Sequence, residues 1–143
     1  MSIRNKALDL LARREHSRFE LRNKLLLRFR DEEQLINRVV EDLESENLLS
    51  DQRFTEMFIR GRVAKGNGPI RIALELRQKG VDASMVELAL AELDVEWCEA
   101  LKALSLQKYG AAPAVDDKER AKRIRFFQNK GYTADLIHEV VPW

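Results

Sequence analysis

Two threonines occur in 143 residues, against twenty leucines. That imbalance favours helix and leaves little of the β-branched material a sheet is built from. One cysteine, Cys98, excludes an internal disulfide and suits a reduced, cytoplasmic compartment. No window approaches 18 consecutive apolar residues, so no segment reads as a membrane-spanning helix. The N-terminal "MSIRNKALDLLARREH" lacks the apolar core of a secretion signal. With two histidines and one cysteine there is no H-x-x-x-H and no C-x-x-C, so no metal set is formed. No cofactor is expected.

Charge is abundant. Asp, Glu, Lys and Arg make up 34% of the chain, yet the net charge is only +1. The sum hides an alternation. Residues 1–30 carry nine basic and three acidic side chains, residues 31–59 two and nine, and residues 60–80 six and one. Residues 81–99 carry six acids and no base, and residues 100–143 return to a net +3.

Helix signals recur along the chain. Residues 3–14 place Ile3, Ala7, Leu8 and Leu11 at helical spacing. "SRFE" at 17–20 and "DDKE" at 116–119 read as capping boxes. Leu35, Ile36, Val39, Val40 and Leu43 fall on one face of a helix whose first turn is acidic. Asn47 reads as a left-handed stop, Gly80 and Gly131 as helix ends, and Pro69 as a first-turn residue. A shift of 51 residues aligns these signals: Arg28, Lys79 and Lys130, then Phe29, Gly80 and Gly131. Leu25, Leu76 and Phe127 align before the stop, and Leu35, Val86 and Ile137 after it. A period near 50 marks a repeat architecture. The expected fold is all-α: three tandem three-helix repeats over 1–49, 50–94 and 95–143, forming an elongated, curved modular protein.

The glycine-rich "RVAKGNGPIR" raises the question of a phosphate loop. Gly61 and Gly66 have the spacing of G-x-x-x-x-G-K-[ST], but Asn67 stands where lysine is required and the flanks read helical rather than strand. The stretch is expected to be a connection between helices, with Gly68 supplying a positive φ. Cys98 has no positive neighbour in sequence to activate it and reads as structural. His16 reads as a polar turn residue and His138 as surface. No catalytic set emerges, so the chain is not expected to be an enzyme.

The basic residues carry more information. Arg14, Arg18 and Arg22 recur at i, i+4 and i+8 and share a helical face if the elbow before the second helix is tight. Arg62, Lys65 and Arg71 form a second group, and Arg123 and Arg125 a third. Cations grouped in this way suit phosphate backbones or acidic protein surfaces. The competing reading is solvated faces paired with the acidic third helices. Near-neutral net charge favours a protein partner, with nucleic acid touched as well.

The stretches "LDLLARREHSRFELRNKL" at 8–25, "LLSDQRFTEMFIRGRVAKGNGPIRIALELRQKGVD" at 48–82 and "RFFQNKGY" at 125–132 resemble the RecX family of regulators of the RecA recombinase. Asp51, Arg53, Phe54, Glu56, Arg62, Gly66, Gly68, Pro69, Arg71, Ile72, Glu75, Leu76, Lys79 and Gly80 fill its central pattern, while Phe29 stands where the pattern favours glycine. The resemblance implies a protein that binds the RecA–single-stranded DNA filament and mostly inhibits its recombinase, ATPase and coprotease activities; a cytoplasmic monomer is expected. The expected contacts are the three basic groups above, and single-stranded DNA is touched in the complex. A helical protein acting directly on nucleic acid is the alternative.

Overall fold

Gly68 and Gly131 lie so close that a Cβ on Gly68 would sit 2.6 Å from both the carbonyl carbon and the oxygen of Gly131. The helices that make this approach possible appear in the computed structural model, which describes residues 1–142. Nine helices are present among those residues, and no strand. The first three are α1 (Ile3–Arg13), α2 (Arg18–Arg28) and α3 (Glu33–Ser45). Next come α4 (Asp51–Ala64), α5 (Pro69–Gln78) and α6 (Ala83–Leu93). The last three are α7 (Trp97–Tyr109), α8 (Asp117–Lys130) and α9 (Ala134–Val140). No helix among the described residues is long and apolar enough to cross a membrane.

Local chemistry sets most of the helix ends. Ser2, Ser17, Asp116 and Thr133 each accept a backbone N–H three residues on, which satisfies a first-turn donor. The two expected capping boxes form only by half. Glu20 turns away to bind Arg14 and Glu119 turns to Arg123, because a guanidinium binds a carboxylate more strongly than a backbone amide does. Asn47 takes φ 61, and Gly80 and Gly131 take φ 80 and φ 104, as helix stops.

Phe29 cannot follow Gly80 and Gly131 cheaply into the left-handed region. It remains at φ −118 after α2, and α3 begins only at Glu33. The register slips by one residue as a result. Leu35, aligned in sequence with Val86 and Ile137, is 49% exposed, and Ile36 is buried in its place.

The chain divides into two compact units. One joins Met1–Phe58 to Leu76–Ala89; the other joins Ile59–Glu75 to the chain from Leu90 onward. Leu21, Leu25, Ile36, Val40, Leu43 and Leu49 form a core in the first unit, with Ile3, Ala7 and Leu10 of α1. Leu101, Leu104, Phe127, Tyr132, Ile137 and Val141 form one in the second. Trp97 stands edge-on to Tyr132, and Tyr109 edge-on to Phe126 and Phe127.

Each unit contains the same junction, in which the turn after one repeat's second helix meets the start of the preceding repeat's second helix. In the first unit the Ser17 hydroxyl donates to the carbonyl of Lys79 at 2.8 Å, and Gly80 lies directly against Phe19. In the second, the Gly68 amide donates to the carbonyl of Lys130 at 2.6 Å and the Ile70 amide to that of Gly131 at 3.0 Å. Ser17 and Gly68 are 51 residues apart, as are Lys79 and Lys130. The expectation for Gly68 therefore needs correction. Its φ is not positive, whereas that of Gly66 is (φ 89). Gly68 is required because another backbone occupies the space of a side chain.

Gly61 supplies the contrast, since a Cβ there would meet nothing within 4 Å on an exposed stretch of α4. Gly68→Ala should lower the unfolding free energy by about 3 kcal/mol or more, the upper range of overpacking costs, because the atoms it meets are backbone. Gly61→Ala should raise it by about 0.5–1 kcal/mol. Urea unfolding of the two variants measures both signs.

Candidate partner-binding surface

Arg14, Arg18 and Arg22 do not share one face. Arg14 lies in extended backbone (φ −170) before α2, so the elbow is open and only Arg18 and Arg22 belong to the helix. Arg14 makes a two-pronged contact with Glu20, both bonds at 2.9 Å. Arg18 binds Glu44 at 2.7 Å and lies 3.7 Å from Glu41. Arg22 reaches Glu33 at 2.5 Å and Asn37 at 2.8 Å. In the first repeat the basic second helix thus neutralises the acidic third, the pairing that the charge alternation allows.

The second repeat lacks that arrangement. Positions 51 residues beyond Arg18 and Arg22 are Pro69 and Ala73. Arg62 on α4 instead holds Glu75 on α5 through two bonds of 2.9 and 2.7 Å. Arg71 donates to the carbonyl of Asn129 at 3.2 Å and lies 3.9 Å from Glu75. Lys65 follows α4 directly, in the turn, and its amine meets no acid or carbonyl among the described residues. It borders an open hollow of about 430 Å³ with Val63, Ala64, Ala100, Ala103 and Leu104.

Arg123 corrects a sequence expectation. It is 4% exposed and belongs to the interior of the third repeat. Its guanidinium binds Glu119 at 2.7 Å and the carbonyl of Ala112 at 2.9 Å, and lies over the Tyr109 ring at 4.7 Å. The sequence carried the signal. A shift of 51 aligns Arg123 with Ile72 and Leu21, both fully buried. Arg125 projects outward and has no bonding partner among the described residues. It borders a hollow of about 350 Å³ with Tyr109, Asp116, Lys118, Glu119 and Lys122. Lys118 and Lys122 stand in the basic segment of the sequence but were not among the expected contacts.

His16 also differs from its sequence reading. It is 1% exposed, with Nδ1 3.0 Å from the Arg14 carbonyl and Nε2 3.0 Å from the Lys24 amine. Burial pushes its pKa below the ordinary 6.5, and Arg14 and Lys24 add to that; the Arg14 carbonyl bond opposes it. For Glu20, burial alone would raise the carboxyl. The Arg14 bond and charge, with His16 and Lys79, outweigh it and pull the value down to about 2.

Three family models match successive stretches of the chain: the first three-helix domain of RecX at residues 4–43, the second at 50–90 and the third at 94–141. The chain belongs to the RecX family. The regulatory protein RecX of Halorhodospira halophila is 41% identical over 136 residues, 95% of this chain and 84% of that protein. The regulatory protein RecX of Pseudomonas savastanoi pv. phaseolicola is 42% identical over 137 residues, 96% and 88% of the two chains. The crystal structure of RecX from Lactobacillus salivarius superposes with a TM-score of 0.74 at 26% identity, covering 96% of this chain and 91% of that one. RecX is a family of regulatory proteins, not of enzymes, and the three matched domains correspond to α1–α3, α4–α6 and α7–α9.

Two tests follow from this RecX geometry. Arg123→Met keeps an apolar stem at a core position and leaves Glu119, 32% exposed, free to turn to water, so it should cost only about 1–2 kcal/mol. Arg123→Glu sets a carboxylate beside Glu119 and the Ala112 carbonyl and should cost about 3–5 kcal/mol. Thermal melting ranks the pair. The second test is pH. An unfolded His16 takes up its proton first, so its contribution to stability is complete above 6.5 and is lost as pH falls through the lower folded value. Glu20 adds a second loss between about 4.5 and about 2. Urea unfolding across pH should show both declines, and His16→Gln should abolish the upper one.

Proposed function

We propose that this RecX protein binds the RecA–single-stranded DNA filament and restrains its recombinase, ATPase and coprotease activities. It acts as a cytoplasmic monomer whose repeats, 1–49, 50–94 and 95–143, meet successive parts of the filament and touch the DNA it carries. Membership of a family of regulatory proteins supports a regulatory role. The observation that carries the choice of contacts is the division among the cations. Arg14, Arg18, Arg22 and Arg62 are occupied by Glu20, Glu44, Glu33 and Glu75. Lys65 and Arg125 keep their charge for a partner, and Arg71 is held only by a carbonyl and a distant carboxylate. A repeated module suits a repeating partner, because weak contacts along one tethered chain add through effective concentration.

Lys65→Glu and Arg125→Glu break no internal pair, so each should leave the melting temperature within the range of surface substitutions, about 0.5 kcal/mol. At an anionic interface each replaces an attraction with a repulsion. Both should weaken inhibition of the filament's ATPase, the double variant more than either single one, with the loss larger at low salt. Unchanged inhibition by the folded double variant sinks this choice of contacts. Steeply salt-dependent binding to bare DNA, equal to that for the filament, would instead favour direct action on nucleic acid.

A further inference from the structure

The cluster around His16 contains a lysine that the RecA reading does not use. We propose that Lys24 is an acylation site, a nucleophilic amine positioned by His16 to react with anionic donors of the acyl phosphate class. The geometry begins with the buried imidazole. Nδ1 lies 3.0 Å from the Arg14 carbonyl, so Nδ1 must carry the ring hydrogen. Nε2 is then a lone-pair acceptor, and it stands 3.0 Å from the Lys24 amine. Both ring nitrogens are fixed, so the imidazole is held neutral in one tautomer.

The surroundings disfavour an ammonium at this point. Arg13 and Arg14 face Lys24 from the end of α1 and the elbow, and Lys79 from the turn after α5. The opposing carboxylate is Glu20 on α2, itself held by Arg14 at 2.9 Å and Lys79 at 3.4 Å. Burial, then the charge of Arg14, lowers the Lys24 pKa below its ordinary value, which enlarges the fraction of free amine at neutral pH. The same cations draw in a dianionic donor.

In the reaction the Lys24 nitrogen attacks the acyl carbonyl carbon and forms the C–N bond. The bond from that carbon to the phosphate oxygen breaks, and phosphate leaves with the electron pair. The proton released by the nitrogen passes to His16 Nε2 and from there to water. The product is a neutral amide, and the cluster has one positive charge fewer. Nothing in this chemistry depends on which partner the protein regulates.

The test is incubation of the full chain with acetyl phosphate between pH 7 and pH 10.5, with mass-spectrometric rates at each lysine. Lys65, exposed and without a bonding partner for its amine, is the internal reference. Lys24 is expected to react several-fold faster than Lys65 near neutral pH, with the half-maximal rate reached at lower pH. Each unit of pKa changes the free-amine fraction about tenfold in that range. His16→Gln should bring the Lys24 rate toward that of Lys65 and leave other lysines unchanged. If that variant does not fold, the pH profiles of the two lysines in the parent protein decide the matter alone. A Lys24 rate no greater than that of Lys65, with no shift in the half-maximal pH, overturns the proposal.

Discussion

The backbone contact between the turn after one second helix and the start of another is the constraint around which both compact units are organised. It demands that the approaching turn have no side chain in the way, which Gly80 and Gly131 satisfy while also taking the positive φ that ends their helices. It demands a matching start. In the first unit a serine hydroxyl bonds the incoming carbonyl and caps its own helix with the same oxygen. In the second the partner is a glycine amide, and the chains lie closer still. Both solutions satisfy a carbonyl that the end of a helix would otherwise leave unpaired.

That constraint also accounts for how the hydrophobic cores are placed. The residues one turn before each stop, Leu25, Leu76 and Phe127, are all fully buried. The first repeat, whose Phe29 closes no such junction, escapes the requirement for glycine and shifts its third helix by one residue, burying Ile36 and releasing Leu35. A missing glycine therefore alters which side chains form the core, although the three-helix plan is retained.

Electrostatics is distributed unevenly over the same plan. The first repeat pairs Arg4, Arg13, Arg14, Arg18 and Arg22 with its own acids. The third buries one, Arg123, where the other repeats carry Leu21 and Ile72. A buried guanidinium is tolerable there because a carboxylate, a carbonyl and the face of an aromatic ring surround it. Cations left over from such internal pairing are the ones able to attract a partner.

Helix number, the period of 51 and most of the stops were legible in the sequence, since they depend on spacing and on residues such as Gly131, Asn47 and Ser17 whose local preferences act within one turn. The absence of strands was legible too, from composition. What the sequence could not reveal was which acid each arginine would choose. Arg22 and Glu33 are eleven residues apart and Arg62 and Glu75 thirteen, so their pairing depends on how helices pack and not on spacing along one helix. The same holds for His16, a turn residue by sequence that packing buries against Lys24. It holds for Gly68, whose need for a bare Cα comes from a backbone 63 residues away. Local chemistry determined the elements; long-range contact decided which charges remained free, because only the folded chain brings distant donors and acceptors within bonding distance.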